Sequence, residues 1–557
     1  MRAWLLISCC TLVGISSCTD TDSVTAGGGG TAGANAAPSG EAGEAGTPSS
    51  APAGGSSSAR GMGNEAGNGG NEAGNGGMGN EAGDGGMGAS VELPGIGGTS
   101  QADGAAGAAG SEADPPSAPP PEPAGGDLSD VRFSPLTLTP SFSTTVHDYY
   151  VRCEAGANAL TLTTTDNNGA KSSALTLYPD QAVVVGESYW VRCLPPDFPI
   201  VTVTQPGTPT PGYYLLNSLS YGAVFDVRGV PVWYARGAMP IGLDSPAVNT
   251  LSFMRDALQA APKTPSWEIR DLNTGLVTTV ASPTTPTDDH ELRVLTNGDY
   301  LVFTYPVETD VDLTGVNSYG PDESIYDCEI QELNPSGSLV WSWLASDHID
   351  PKYESLFASD GLVNGVSVAD VFHCNGIDVD GAGNLLVSMR HTNSAFYVER
   401  TTGKILWKLG GSAYNKDGAA LIRVQNDSQG GFSLQHDVRF QPNGNVTLFD
   451  DHGMGTGYAR GIEFAIDHDA NTATPVFQYL GSGASLFEGS FRRYADGDSV
   501  IGWGYIPGDL RVMTEIDSSG QNVFDITFSG AGNQTYRAIK VPLSQLDINL
   551  LRQDTAR

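Results

Sequence analysis

The chain has 557 residues, enough for more than one domain, and a formal net charge of −35 at pH 7. Nucleic acids present closely spaced phosphates and are bound by basic surfaces, so this charge argues against a nucleic-acid partner. An anionic small molecule would need a local pocket of positive charge within the acidic field of the protein.

The first 18 residues have the layout of a secretory signal. Arg2 supplies a positive charge, and an apolar run follows from Ala3 to Ile15. Small residues then precede Cys18, which resembles the bacterial lipobox and implies cleavage and lipidation of that cysteine. The run is shorter than a membrane-spanning helix requires, and plain secretion is the alternative. Thr19 favours the outer membrane, with the protein facing the periplasm or the cell surface.

Residues 19–126 consist mainly of Gly, Ala, Ser and Pro and contain repeats such as GNEAGNGG. A segment of this composition buries too little apolar surface to offset its chain entropy, so we expect it to be disordered. A flexible chain of this length has a root-mean-square reach of roughly 55 Å. It predicts a tether between a lipid anchor, the chain's only membrane contact, and a folded region.

Residues 127–207 contain short β-rich runs, among them STTVHDYYVRC, SALTLYP and PIVTVTQP, with turn residues between them. This pattern predicts a small β-sandwich. Cys153 and Cys193 end two similar runs, YYVRC and YWVRC, and in an exported protein this favours a disulfide between them. Cys328 and Cys374 could pair or stay free, and no CxxC pair indicates a zinc site.

From residue 211 to about 545 a different pattern recurs, in which a turn with Gly or Pro leads into a short apolar strand that usually ends in an aromatic residue. The copies are RGVPVW, NTGLVT, PSGSLVW, TTGKILW, TATPVF and SSGQNVF. Six repeats of roughly 45 to 70 residues predict a six-bladed β-propeller. The predicted fold class is therefore all-β, with the propeller preceded by the small β-sandwich domain and the disordered N-terminal linker.

Three histidines open equivalent strands of successive repeats. His290 opens HELRVLTNGDYLVF and His436 opens HDVRFQPNGNVTLF, and in both an Asn-Gly pair follows seven and eight residues later. His373 opens HCNGIDVDGAGNLLVSMRHT, whose turn is two residues longer, and the next repeat has Gly489 at this position. If these are the innermost strands of the blades, three imidazoles converge on one mouth of the central channel.

Two further side chains are expected at the same mouth. Arg390 ends the hairpin that His373 begins, and a hairpin returns the chain to the face that it left. Asn375 lies two residues after His373, so strand alternation points it to the same side. The other histidines lack this register, and we interpret them as structural or solvated: His147, His348, His391, His452 and His468.

Three imidazoles, an arginine and an amide fit two kinds of chemistry. Three histidines plus water form a known catalytic zinc set. Alternatively, one neutral imidazole acts as a nucleophile while the other groups donate to an oxyanion. Arg390 favours the anion, because its charge would repel a cation. Glu291 and Asp437 directly follow two of the histidines, and in a regular strand they should face away from them.

The motifs DDHELRVLTNGDYLVF, FHCNGIDVDGAGNLLVSMRHT and FSLQHDVRFQPNGNVTLFDDHG closely resemble those of the bacterial arylsulfate sulfotransferases. The resemblance runs from about residue 211 to 540. It implies a six-bladed propeller that moves a sulfuryl group from a phenolic sulfate ester to an acceptor phenol, independently of the nucleotide sulfate donor. It implies neither a cofactor nor a metal. A short-range cysteine pair found near the site in some members is missing here.

By position, the resemblance implies that His436 is the nucleophile and becomes a sulfohistidine in a ping-pong reaction. It implies that His290, His373 and Arg390 complete the catalytic set and that Asn375 binds substrate. A protonated histidine would give its proton to the departing phenolate, whose conjugate acid has a pKa of about 10. The alternatives are a surface-tethered propeller that binds sulfated or aromatic ligands without turnover, and a quinone-dependent dehydrogenase-like propeller.

Overall fold

A computed structural model of the chain describes residues 128–237, 239–257, 265–363, 366–453, 457–530 and 532–554. The predicted leader, Cys18 and the linker of residues 19–126 lie outside these ranges. Strands dominate the described residues, which confirms the predicted all-β class. Among the same residues, no helix combines the length and the apolar character needed to cross a membrane.

The first strands form two small sheets. The strands are β1 (Asp130–Ser134), β2 (Asp148–Arg152), β3 (Asn158–Asp166), β4 (Gly169–Leu177), β5 (Ala182–Val185), β6 (Tyr189–Leu194) and β7 (Ile200–Thr204). Six of them pair in the orders β1-β3-β4 and β2-β6-β5. Both sheets contribute to one buried core, in which Val131 of β1 joins Tyr149 of β2 and Tyr189 of β6. The predicted disulfide is present and joins Cys153, next to β2, to Cys193 of β6.

The remaining strands begin with β8 (Tyr213–Asn217), β9 (Tyr221–Phe225), β10 (Pro231–Arg236), β11 (Ile241–Asp244), β12 (Thr250–Met254), β13 (Trp267–Asp271), β14 (Val277–Val280), β15 (Thr287–Val294), β16 (Tyr300–Thr304), β17 (Val307–Val311), β18 (Glu323–Tyr326), β19 (Glu329–Leu333) and β20 (Leu339–Leu344). They continue with β21 (Ser359–Val363), β22 (Val366–Asp370), β23 (Cys374–Val379), β24 (Leu385–Met389), β25 (Ser394–Val398), β26 (Ile405–Gly410) and β27 (Ala420–Val424). The last are β28 (His436–Phe440), β29 (Val446–Asp450), β30 (Arg460–Asp467), β31 (Thr472–Leu480), β32 (Ser490–Arg493), β33 (Ser499–Gly502), β34 (Arg511–Ile516), β35 (Asn522–Ser529) and β36 (Ala538–Val541). Short helices are α1 (Ala345–His348), α2 (Pro351–Glu354), α3 (Ile548–Gln553) and a 3-10 turn over Arg390–Thr392.

In the described part of the chain, the repeats build antiparallel units of four strands each, in the orders β36-β8-β9-β10, β11-β12-β13-β14, β15-β16-β19-β20, β23-β24-β25-β26, β28-β29-β30-β31 and β32-β33-β34-β35. Strand β27 pairs parallel with both β26 and β31 and so joins the fourth and fifth units into one nine-stranded sheet. Each sequence repeat supplies the fourth strand of its unit, and the aromatic ends are Trp233, Trp341, Trp407, Phe477 and Phe524. The first strands lie beside one another in chain order, from β11 through β15, β23, β28 and β32 to β36, and β8 lies beside β11.

The placement of PIVTVTQP in the small domain is wrong. This segment contains β7, which pairs antiparallel with β35 and extends that sheet to five strands. The side chains of β7 alternate between half-buried and exposed, as expected for a strand with one face in solvent. Without β7, the backbone N–H and C=O groups along one side of β35 would lack partners, so the ladder hydrogen bonds explain the placement.

An additional sheet, in the order β17-β18-β22-β21, is inserted between β16 and β23. Strand β22 of this sheet ends at Asp370, three residues before His373. Close to this point Cys328, just before β19, forms a disulfide with Cys374, the first residue of β23. The inserted sheet and the disulfide therefore fix the beginning of β23 from two sides.

Candidate functional site

The three histidines predicted to share one register come together at the beginnings of β15, β23 and β28. The ring centroids of His290 and His373 are 5.0 Å apart. The ring of Tyr536 lies 5.8 Å from that of His290 and 6.4 Å from that of His436, so it is a common neighbour of both. The cluster thus combines residues from three successive units with one from the segment that leads into β36.

Irregular strand beginnings aim these side chains. In each of β15, β23 and β28, the antiparallel register with the next strand shifts near the start. His290 lies inside the shifted stretch, His373 directly precedes β23, and His436 begins β28. The φ angles of His373 and Asp437 are 52° and 53°, in the left-handed region. Bulges re-aim side chains next to functional sites, and here they occur at matching places in three strands.

His436 is a buried imidazole held by a buried carboxyl group. Its Nδ1 atom is 2.6 Å from Oδ2 of Asp451, and both side chains are almost fully inaccessible. Burial, reinforced by the charge of Arg390 and by the neighbouring histidines, holds the pKa of His436 well below its usual value. Burial raises the pKa of Asp451, and Arg390 opposes that effect. The imidazole of His436 is therefore neutral, as a nitrogen nucleophile must be.

His290 has the opposite character. Its Nδ1 atom lies 2.8 Å from Oδ1 of Asp288 and 3.3 Å from Oδ1 of Asp289. Burial lowers its pKa, but the Asp288 and Asp289 carboxylates outweigh burial and raise the pKa to about 9. The imidazole is consequently a cation at neutral pH, and it supplies positive charge beside the neutral ring of His436.

His373 and His391 both contact Asp370, the first at its side chain and the second at its backbone. Nδ1 of His373 is 2.5 Å from Oδ2 of Asp370, and Nδ1 of His391 is 2.7 Å from the backbone oxygen of Asp370. The two rings are 4.7 Å apart. Burial, with the charge of Arg390, lowers the pKa of both histidines despite the attraction of Asp370. His391, interpreted from the sequence as structural or solvated, is buried beside His373, because it lies just beyond the strand that Arg390 follows.

Arg390 lies beside His373, where the returning hairpin was expected to bring it. Its backbone N–H donates to the His373 carbonyl at 3.0 Å. In the guanidinium group, Nη1 donates to Nε2 of His391 at 3.0 Å and Nη2 donates to the carbonyl of Leu486 at 2.9 Å. The group also lies 5.9 Å from the ring centroid of Phe357. These contacts fix the plane of the guanidinium next to the histidines.

Asn375 is fully buried and acts on the segment that carries His436. Its Nδ2 atom donates to the carbonyl of Gln435 at 2.7 Å. The backbone carbonyl of Asn375 accepts from Oη of Tyr536 at 3.2 Å and from Nη2 of Arg537 at 3.1 Å. Its Oδ1 atom is buried and has no hydrogen-bond partner among the described residues. The structure therefore gives Asn375 a positioning contact next to His436.

The two carboxylates that follow histidines in sequence form a separate buried network. Nη2 of Arg439 is 2.7 Å from Glu291 and 2.8 Å from Asp437. Nη2 of Arg537 is 2.7 Å from Glu291, and Nε of Arg492 is 2.7 Å from Asp437. Burial raises the pKa of Glu291, but the surrounding arginines outweigh burial and lower it to about 2. These acids are committed to ion pairs and form a charged support beneath the cluster.

Sequence reasoning missed the three aspartates that orient the histidines. Asp288 and Asp370 lie two and three residues before their histidines, so local spacing was an available signal. Asp451 lies fifteen residues after His436, at the other end of its hairpin. Its role depends on β28 and β29 being paired, although the motif FDDHG that contains it was visible.

Two groups in the described residues have the composition of a metal site, Asp370 with His373 and His391, and Asp288 with Asp289 and His290. Each contains histidine Nδ1 atoms that already face carboxyl or carbonyl oxygens. The remaining nitrogen of His391 faces Arg390, a permanent cation. The charge of Arg390 therefore opposes a metal ion at the group of Asp370, His373 and His391.

Comparison with known proteins gives one family. Residues 266–529 match the family model described as Arylsulfotransferase (ASST), and all five predicted site residues fall inside the match. No curated protein matches the chain. One similar solved structure is a protein of unknown function from Bacteroides caccae, 14% identical over 60% of this chain and 99% of its own, with a TM-score of 0.36. Another is a streptogramin B lyase, 11% identical over 59% of this chain and 98% of its own, with a TM-score of 0.28.

Proposed function

We propose that this chain, whose residues 266–529 belong to the arylsulfotransferase (ASST) family, transfers a sulfuryl group from a phenolic sulfate ester to an acceptor phenol without a nucleotide sulfate donor. The observation that carries the proposal is the neutral imidazole of His436 among the positive charges of His290 and Arg390. Transfer of an anionic group to a nitrogen nucleophile needs this combination, because the cations stabilise the charge on the sulfuryl oxygens.

In the first half-reaction, Nε2 of His436 attacks sulfur and the bond from sulfur to the phenolic oxygen breaks. In this proposal the Nδ1–H of His436 donates to Oδ2 of Asp451, which leaves the lone pair on Nε2 free for the attack. Arg390, His290 and His373 bind the sulfuryl oxygens. The departing phenolate takes a proton from an acidic group of the site.

In the second half-reaction, the acceptor phenol gives its proton to the group that protonated the first phenolate, while its oxygen attacks the sulfur of the sulfohistidine. The sulfur–nitrogen bond breaks and neutral His436 is restored. One phenol leaves before the other binds, so a single anion site serves both half-reactions. This is the ping-pong scheme, and it requires no metal and no cofactor.

We also propose that the four-stranded units are the blades of a six-bladed propeller closed by β36 and β8. The order of contacts among the first strands of the units supports this architecture. The site then lies at one mouth of the central channel. The two small sheets form an N-terminal β-sandwich domain, and residues 19–126 tether the protein to a lipid at Cys18, in an outer membrane.

The decisive experiment is incubation with a donor alone, followed by mass analysis of the peptides. We expect one sulfuryl group on His436. His436→Ala should abolish both adduct and turnover, whereas His290→Ala and His373→Ala should each slow the reaction by on the order of 100- to 1000-fold and still yield a trace of adduct. His468→Ala is the matched control, because His468 is exposed in the turn between β30 and β31.

The other outcomes separate the alternatives. An adduct on His290 or His373 would reassign the nucleophile within the same reaction. Turnover without any histidine adduct would indicate direct transfer between two bound phenols. Binding of an aryl sulfate without adduct or turnover would support a tethered binding protein.

A further inference from the structure

The segment of residues 485–489, between β31 and β32, borders the site on two sides. The backbone N–H of Ser485 donates to the carbonyl of Asp451 at 2.9 Å. The carbonyl of Leu486 accepts from Nη2 of Arg390 at 2.9 Å. The segment therefore contacts both the residue that orients His436 and the cation proposed to bind the sulfuryl oxygens.

The end of the same segment contacts Tyr536, whose ring is a neighbour of both His290 and His436. The N–H of Gly489 donates to the carbonyl of Tyr536 at 3.0 Å, and Oη of Tyr536 donates to the carbonyl of His290 at 2.8 Å. Gly489 is also the residue that takes the histidine position in the next repeat. Glu488, which directly precedes it, is thus placed next to the row of strand beginnings that carries the histidines.

The carboxyl group of Glu488 is buried, but few hydrogen bonds compensate for its burial. The residue is 6% exposed and has a φ of 66°, a conformation that side chains other than glycine rarely adopt. Its Oε1 atom accepts from Nε2 of Gln534 at 3.3 Å, a long hydrogen bond. Its Oε2 atom is buried and has no hydrogen-bond partner in the described part of the chain. A buried carboxyl oxygen without a partner is costly and calls for an explanation.

The electrostatic surroundings keep this carboxyl group protonated near neutral pH. Burial raises the pKa of Glu488 to about 8, with the charge of Asp289 adding to the effect and His290 opposing it. A carboxyl group whose pKa lies close to the working pH can both give and take a proton, which is the requirement for general acid–base catalysis.

We propose that Glu488 carries the proton in both half-reactions, a proposal that rests on the proposed function. As the sulfur–oxygen bond of the donor breaks, the Glu488 carboxyl gives its proton to the phenolate, so that a neutral phenol leaves and Glu488 becomes a carboxylate. In the second half-reaction that carboxylate takes the proton of the acceptor phenol as its oxygen bonds to sulfur. Each turnover returns Glu488 to its protonated form.

This assignment leaves His290 charged throughout the cycle. The carboxylates of Asp288 and Asp289 stabilise its imidazolium form. His290 then keeps its charge for the sulfuryl oxygens in both half-reactions, and Glu488 alone alternates between its two forms.

The test uses Glu488→Gln, which keeps the size of the side chain and an acceptor for Gln534 but cannot transfer a proton. Donors are compared in single-turnover adduct formation. With unsubstituted phenyl sulfate, whose phenolate needs a proton to leave, we expect a loss on the order of 100- to 10,000-fold. With 4-nitrophenyl sulfate, whose phenolate is stable without one, the loss should be less than tenfold, and the adduct on His436 should persist.

Glu463→Gln is the matched control, since Glu463 is also 6% exposed but contacts Asn445, in the turn before β29, and Arg493, at the end of β32. The control should leave the dependence on the leaving group unchanged. An equal loss for both donors in Glu488→Gln would show a structural role and overturn the proposal, as would no loss with phenyl sulfate. If the wild-type protein forms no adduct and shows no turnover with either donor, the proposed function itself fails. Glu488→Asp serves as the second variant if Glu488→Gln does not fold. It keeps a carboxyl group, and it should retain part of the wild-type rate with phenyl sulfate.

Discussion

The Nδ1 atom of His436 faces Oδ2 of Asp451 across a single antiparallel hairpin, at 2.6 Å. His436 begins β28 and Asp451 directly follows β29, so the pairing of these two strands alone brings the groups together. The contact occupies one imidazole nitrogen and leaves the other for chemistry. It also selects His436 among the histidines, since it is the one with both a buried carboxyl partner and a strongly lowered pKa.

Replacing Asp451 by Asn should impair the nucleophile without removing it. An amide can present an N–H to Nδ1, and the imidazole then carries its proton on Nε2, where the lone pair is needed. We expect adduct formation to slow by on the order of 100- to 10,000-fold. The rate is measured in a donor-only reaction, with exposed Asp467→Asn as the control. An unchanged rate would mean that Asp451 does not set the tautomer.

The pKa of His290 predicts an alkaline limit to activity. Because this imidazole is a cation up to about pH 9, turnover of 4-nitrophenyl sulfate should fall as pH rises through about 9. His290→Gln should be slow at all pH values and lack that alkaline limb. On the acid side activity should persist below pH 6, since His436 remains neutral well below its ordinary pKa. A profile of wild type and variant between pH 5 and pH 10 checks both limbs.

The same pKa has a consequence for stability. The pKa of His290 rises on folding from about 6.5 to about 9. The stabilisation of the folded protein by the protonated imidazole is therefore complete below pH 6.5 and is lost as pH rises through 9. The difference in Tm between wild type and His290→Gln should therefore shrink across that window. A difference that grows instead would show that the carboxylates do not stabilise the imidazolium.

Arg390→Lys should be far from conservative. Two separate guanidinium nitrogens of Arg390 donate to His391 and to the Leu486 carbonyl, and an ammonium group cannot reproduce this fixed plane. We expect kcat/KM for an aryl sulfate to fall on the order of 100-fold, with little change in Tm. Arg423→Lys, at an exposed position of β27, is the control. Full activity in Arg390→Lys would show that only the charge matters.

Removal of metal ions should leave turnover unchanged. In the group Asp370, His373 and His391, the Nδ1 atoms face Asp370 and Nε2 of His391 faces the cation Arg390. Turnover is compared before and after dialysis against a chelator. Loss of activity that zinc restores would contradict the anion site and favour a metal at this group.

Much of the cluster was visible in the sequence because its signal is local. His290 and His436 begin hairpins in which Asn-Gly follows at the same spacing, and equal hairpins place their first residues equally. Asp451 and Tyr536 lacked such a signal. The first reaches its histidine only through strand pairing, and Tyr536 contacts His290 across 246 residues of chain. Side-chain alternation predicted β7 as a strand, but it does not specify a neighbour, so its pairing with β35 was missed.

The pairing of β36 with β8 determines when this site can exist. Tyr536 and Arg537 stand directly before β36, and both contact groups around the histidines. Joining strands so distant in sequence is an entropically expensive and therefore late event in folding. In a nascent chain in which β36 has not yet paired, His290 and His436 lack Tyr536, their common neighbour. We therefore expect the site to form late in folding, and under the proposed function a chain that lacks β36 should not react with an aryl sulfate.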